Sequence, residues 1–276
     1  MNDAARTPRS VGLVGVLGGM GPLATLDFLH KVLAATPARR DQDHVPMMVS
    51  SIPQVPDRTA AFRGDGESPL PALLACGERL AAAGVGLLVL PCNTAHLWFD
   101  DLQAALGLPM LHLADAALAE AARRAPGARL GLLATDATLA SGLYLNRPQP
   151  RPVQWVLPTA VEMVEQVMPG IAAVKAGELA HGRDALMQAA QALRRRGADA
   201  LVLGCTELPL VLDEAGLGLP VIDATDALAR AVVAWSLTQR EAEATGADHA
   251  DVLHAASAPA WSAVRPRWPS RARASR

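Results

Sequence analysis

Residues 84–92, "GVGLLVLPC", and residues 197–205, "GADALVLGC", share one pattern: a glycine, an apolar run, and a cysteine where the run ends. Each follows an Ala- and Leu-rich segment of helical length, 72–83 ("ALLACGERLAAA") in the first case and 185–196 ("ALMQAAQALRRR") in the second. Short apolar runs bounded by turn residues read as buried strands, and helix leading into buried strand is the unit of a parallel sheet. The chain therefore delivers a cysteine from a strand into a polar turn twice, at "PCNTAH" (91–96) and at "GCTELP" (204–209).

The alternation extends in both directions. Strand-like runs are "VGLVGVLG", "VPMMVSS", "GLLVLP", "PMLHLA", "RLGLLAT", "VQWVLP", "ALVLGC" and "LPVIDAT". "LGLPMLHLADAAL" (106–118) is answered by "LGLPVIDATDALA" (217–229), and "VGVLGGMGPLAT" (14–25) more weakly by "LGLLATDATLAS" (130–141). These repeats predict an α/β chain of two pseudo-symmetric, doubly wound halves with parallel sheets. Each half presents a cysteine at the carboxyl end of a strand, so a pseudo-twofold axis would set the two thiols face to face across a cleft.

Composition narrows the function. With 276 residues and 51% hydrophobic content, the chain can bury the core of one large unit or of two ordinary domains. A net charge of −2 gives no footprint for nucleic acid or for a membrane surface, so the expected partner is a small molecule. No apolar run reaches the roughly 20 residues of a membrane helix, and "MNDAARTPRS" lacks the apolar region of a signal peptide. The expectation is a cytoplasmic enzyme whose cysteines, Cys76, Cys92 and Cys205, are free thiols.

A single cysteine after a hydrophobic strand is usually core. Here the duplication argues otherwise. Each sulfur precedes a Thr-containing turn, so Asn93/Thr94 and Thr206/Glu207 are expected to cap the next helix and aim its amides at the thiol, which favours the thiolate. Cys76, within an Ala/Leu-rich helix, reads as core.

Five motifs in order, "GGMGP" (18–22), "PQVPDRT" (53–59), "PCNTAH" (91–96), "KAGE" (175–178) and "GCTELP" (204–209), resemble the aspartate/glutamate racemase family, on the side of its aspartate racemase branch. The resemblance covers residues 11 to about 236. It implies a homodimeric amino-acid racemase that uses no cofactor, with its site in the cleft between the halves. It implies a first domain of residues 10–110 plus 220–240, a second of 111–219, and the last strand and helix crossing back to the first. It also implies Cys92 and Cys205 as catalytic residues, Arg58 and Lys175 as carboxylate-binding residues, and Met20, Gly21, Gln54, Asn93, Thr94, Thr135, Thr206 and Glu207 as further substrate contacts.

The chemistry agrees with that resemblance. Racemisation removes a proton from one face of Cα and returns one to the other, so two thiols on opposite sides serve better than one. Charge developing in the substrate carboxylate needs preorganised donors, which Asn93, Thr94 and Thr206 can supply. A side-chain carboxylate, as in aspartate or glutamate, needs cations, and of the two offered only Arg58 provides a planar fork. Lys31 and Lys175 are the only lysines, which disfavours a pyridoxal phosphate Schiff base.

Rival readings stay open. "GMGPLA" (19–24) fits the dinucleotide fingerprint and makes an NAD-dependent dehydrogenase an alternative, although the acids some 20 residues on, Asp41 and Asp43, lie in a polar linker. Hydantoin racemases, maleate isomerases and broad amino-acid racemases would share both cysteines, and a two-lobed binding protein would share the cleft. The seven histidines show no metal-binding spacing. His96 and His112 are the two to watch for a contact with the site, and Glu207 is placed to raise the pKa of Cys205. Residues 241–276, rich in Ala, Pro, Ser and Arg, read as a disordered tail.

Overall fold

The structure, a computed structural model, describes residues 11–149 and 152–245. The first half runs β1 (Val14–Gly18), α1 (Pro22–Ala35), β2 (Met47–Ser51), α2 (Arg58–Arg63), α3 (Leu70–Ala82), β3 (Leu87–Val89) and α4 (Phe99–Leu106). After α5 (Leu113–Arg124) the second half follows with β4 (Arg129–Ala134), α6 (Asp136–Ala140), β5 (Gln154–Val156), α7 (Ala160–Glu162), α8 (Met168–Lys175), α9 (Leu179–Arg195), β6 (Ala200–Gly204), α10 (Glu214–Leu217) and β7 (Val221–Asp223). The long α11 (Ala224–Thr245) closes the described chain.

Two parallel sheets result, ordered β2-β1-β3 and β5-β4-β6-β7. The repeat is visible in this order, for β1 and β4 are both flanked by the next strand in sequence and by the strand that leads to a cysteine. The expected strand at 109–114 is a correction. Only Met110 pairs, bridging Leu88, because His112 turns the chain by accepting the Ala114 amide at Nδ1 and α5 begins at once.

β1, β3 and β6 are completely buried, and β4 is buried from Leu130 on; they carry Val and Leu on both faces, as a sheet covered on two sides requires. A central cluster joins Val14, Val16, Leu87 and Val89 of the first sheet to Leu130, Leu132 and Val202 of the second through Leu113, Leu118, Leu228 and Val232 of α5 and α11. Each such leucine contributes about 1.5–3 kcal/mol by leaving water. The outer faces have cores of their own, with Leu73, Leu80 and Leu102 on one side and Ile171, Val174, Leu186 and Leu193 on the other.

The crossing back to the first half is made by helix alone. β7 stays in the second sheet, paired to β6 at Leu201↔Val221, so residues 220–223 belong there. α11 packs on α1 and α5. Ser236 Oγ donates to the Gly12 carbonyl at 2.9 Å, and Arg240 donates to the carbonyls of Gln42, Asp43 and His44. The helix also outruns the expected tail boundary at 241, because Gln239 and Ala242 continue its buried stripe. The tail expectation for 246–276 lies outside the described residues.

Candidate active site

Cys92 follows β3 and is nearly buried. Its backbone is held by the histidine four residues on. His96 Nδ1 donates to the Cys92 carbonyl at 2.8 Å, while Nε2 accepts the Leu113 amide at 3.0 Å. These two bonds fix one neutral tautomer and tie the cysteine turn to the start of α5. Burial pushes the His96 imidazole down to about 4, against the pull of the Cys92 carbonyl. The ring lies parallel to Phe99 and edge-on to His112, whose pKa is likewise lowered, first by burial and then by His96.

Cys205 follows β6 directly. Its Sγ donates to Glu207 Oε2 at 3.0 Å, and Thr206 Oγ1 reaches the same oxygen at 3.4 Å. Burial first, then the Glu207 carboxylate, raise the Cys205 thiol well above its ordinary range, against the attraction of Lys175. Glu207 therefore acts on Cys205 in the direction the sequence indicates.

Cys92 and Cys205 line one small cavity between the halves, with about 280 Å³ of unfilled space that includes solvent at its mouth. Around it stand Met20, Arg58, Asn93, Thr94, Thr135, Lys175, Thr206 and Glu207, joined by Asp57 and Thr59, which the sequence reading passed over. Arg58 opens α2 behind its Asp57 cap and is buried; its Nη1 donates to the carbonyls of Val55 and Pro56. Lys175 ends α8, which lies close against α9 because Gly170 and Gly182 face each other. A Cβ on Gly182 would come within 2.9 Å of the Gly170 carbonyl. Solvent reaches the Lys175 side chain although dense structure surrounds it. Burial works against its ammonium, but Glu207, then Cys205 and Cys92, outweigh that and raise its pKa.

The polar turns do not cap helices. The segments after the cysteines are 3-10 turns, Thr94–Trp98 and Leu208–Leu210, and neither receives a side-chain cap. Thr94 instead bonds to Thr135 at 3.0 Å and Thr138 at 3.2 Å, both from the second half, and Asn93 Oδ1 accepts the hydroxyl of Tyr144. Three buried polar atoms among the lining residues have no protein partner: Arg58 Nε, Asn93 Nδ2 and Glu207 Oε1. An unpaired buried polar group costs about 1–3 kcal/mol, and two donors and one acceptor collected at one cavity are complementary to a ligand bearing both charges.

Two expected contacts fall short of the lining. Gly21 lies just behind it, since a Cβ there would meet Glu207 Oε1 at 3.3 Å. Gln54 is exposed on its loop and does not line the cavity. The dinucleotide alternative loses its supports. The Gly19 amide is bonded to Thr25 Oγ1, and Gly19 itself (φ +92°) is pressed so close to Ile52 that a Cβ would lie 2.4 Å from its nitrogen. Asp43 accepts the amides of Arg39 and Arg40 in a turn preceding β2. Among the described residues no group of His, Cys, Asp and Glu has the arrangement of a metal site.

Two α/β halves with parallel sheets are the fold of the racemases that this chain resembles in solved structures. The aspartate racemase of Picrophilus torridus superposes with a TM-score of 0.74 at 32% identity, covering 81% of this chain and 94% of that one. A broad specificity amino-acid racemase of Bacillus subtilis, RacX, is 29% identical over 231 residues, 82% of this chain and 98% of the relative. Glutamate racemase of Deinococcus radiodurans is 30% identical over 81% of this chain and 74% of its own length. The chain belongs to the Asp/Glu/hydantoin racemase family, whose model matches residues 17–232, and it is an isomerase of the racemase type.

Proposed function

We propose that the protein racemises an acidic amino acid, aspartate before glutamate, without a cofactor, by proton transfer between Cys92 and Cys205. One observation carries this reading: the two thiols, delivered by equivalent strands of the two halves, line the same small cavity as Arg58 and Lys175. In one direction a Cys92 thiolate takes the Cα proton and the Cys205 thiol, kept protonated by burial and by Glu207, gives one to the opposite face. The other direction starts from the state this turnover leaves, with Cys92 as thiol and Cys205 as thiolate: Cys205 takes the Cα proton and Cys92 returns one to the opposite face. Negative charge spreading into the α-carboxylate is met by Asn93 Nδ2 and the hydroxyls of Thr94 and Thr135. Arg58, with Nε unpaired, and Lys175 receive the side-chain carboxylate.

Residues 11–110 with α11, and residues 111–223, serve as the two jaws of this cleft. Leu23, Leu26 and Leu33 on α1 and Met48 and Val49 on the edge strand β2 expose apolar surface, which supports pairing with a second copy. Among the described residues no helix is long and apolar enough to cross a membrane.

A broad amino-acid specificity is the second reading, favoured by the likeness to RacX. Incubating each amino acid in deuterated water without added cofactor and separating enantiomers chirally decides between them. Interconversion of aspartate with deuterium at Cα is expected. Racemisation confined to neutral amino acids would remove Arg58 and Lys175 from substrate binding, and exchange with none would leave a binding protein.

A further inference from the structure

Tyr144 is the only tyrosine in the chain and is almost wholly buried, in the turn that follows α6. That turn is fixed. Arg147 grips Asp115 of α5 with both Nε and Nη2, its amide reaches the Tyr144 carbonyl at 3.3 Å, and Trp155 of β5 meets the phenol ring edge-on with centroids 6.5 Å apart. The hydroxyl leaves the second half and bonds Asn93 Oδ1 of the first, beside Cys92. Burial, reinforced by the neighbouring Cys205, raises the pKa of Tyr144 well above its ordinary value, so the hydroxyl stays a donor.

An asparagine amide has one accepting end and one donating end. A hydroxyl that donates to Oδ1 therefore decides where Nδ2 goes. Here Nδ2 is buried without a partner on a residue that lines the cavity. We propose that Tyr144 is a positioning residue: by holding Asn93 Oδ1 it presents Nδ2, the donating end, to a carboxylate in the cavity. Without that bond the amide is free to turn over and set its oxygen against the same carboxylate, converting an attraction into a repulsion. The inference rests on the racemase reading for its natural ligand, but the orientation of Asn93 can be read without turnover.

The test is a cycle of Tyr144→Phe, Asn93→Ala and the double variant, with kcat/KM for racemisation, the affinity for succinate, and Tm recorded for each. Succinate is a dicarboxylate with no stereocentre, so its affinity reports the binding site whether or not the protein racemises anything. Tyr144→Phe should weaken succinate binding and lower kcat/KM by roughly 10-fold or more, the effect of one hydrogen bond to a charged group. In the Asn93→Ala background the same change should alter neither, because Tyr144 acts only through Asn93. Losses that multiply independently, or near-native succinate binding in Tyr144→Phe, would overturn the proposal, and a purely structural role would lower Tm alone. Should Tyr144→Phe fold poorly, the wild type and Asn93→Ala give the answer with the tyrosine in place. An amide that presents Nδ2 makes succinate bind more tightly to the wild type than to Asn93→Ala, and tighter binding to the alanine variant would refute the assigned orientation. A wild type that binds succinate but racemises nothing would count against the racemase reading and leave this result legible.

Discussion

Acidifying the protein from pH 6.5 to 4 should remove about 3 kcal/mol of stability through His96 alone. Free histidine titrates near 6.5, whereas burial holds His96 at about 4. Each unit of difference between folded and unfolded pKa is worth about 1.4 kcal/mol. A lowered histidine pKa means that the fold requires the neutral ring. Its contribution is complete above pH 6.5, declines as the unfolded chain takes up the proton that the folded chain refuses, and is exhausted near pH 4. Against the roughly 5–15 kcal/mol of a whole domain, that is a large share. The assay is urea unfolding at a series of pH values for the wild type and for His96→Gln, whose amide can still donate to the Cys92 carbonyl and accept from Leu113 but cannot titrate. The variant should be less stable at pH 7 by about 1–2 kcal/mol, should draw level with the wild type on the way down, and should be the more stable of the two by about 1–2 kcal/mol near pH 4. Carboxylates titrate in both proteins and drop out of the comparison, as does the burial that chiefly lowers His112; only the smaller part that His96 contributes to His112 is lost in the variant. Parallel stability curves, with no convergence, would refute the buried neutral clamp.

Three other perturbations have defined outcomes. Arg58→Lys should lose about 100-fold or more in kcat/KM with acidic substrates, because a point charge cannot keep the bonds to Val55 and Pro56 and also grip a carboxylate; near-native turnover would return Arg58 to a structural role. Glu207→Gln removes a negative charge beside Cys205 and should bring that thiol's titration to lower pH, seen in the pH dependence of its alkylation rate; an upward shift would contradict the assigned cause. Ending the chain after Thr245 should leave turnover unchanged, whereas ending it before Gln239 strips buried residues from α11 and should lower Tm; activity lost on the first truncation would give the tail a role.

Much of this architecture was legible because it is local and repeated. The helix–glycine–strand–cysteine unit occurs twice, and both copies fold as written, with β3 and β6 beside the central strands β1 and β4. Residues 109–114 failed as a strand because one histidine turned the chain after a single bridge at Met110, and apolar patterning is blind to such a turn. The roles of Asn93 and Thr94 were misread for a related reason. Their chemistry suits a helix cap, but their partners, Tyr144, Thr135 and Thr138, come from the other half of the chain, more than forty residues away. Tyr144 left one trace that could have found it, as the sole tyrosine in a sequence of 276 residues. The tail boundary was set too early because composition turns polar near 240 while the spacing of Trp235, Gln239 and Ala242 keeps one helical face buried.

That two thiols work on opposite faces of one Cα is tested most directly with a β-chlorinated amino acid supplied as separate enantiomers. A variant keeping one thiol can still remove the Cα proton from the enantiomer facing it and expel chloride, with no second base needed. Cys92→Ser and Cys205→Ser should therefore both lose racemisation and should eliminate chloride from opposite enantiomers. Cys76→Ser should match the wild type, since Cys76 is buried in α3 away from the cavity. If both active-site variants consume the same enantiomer, or if either still racemises, the facing-thiol arrangement is wrong.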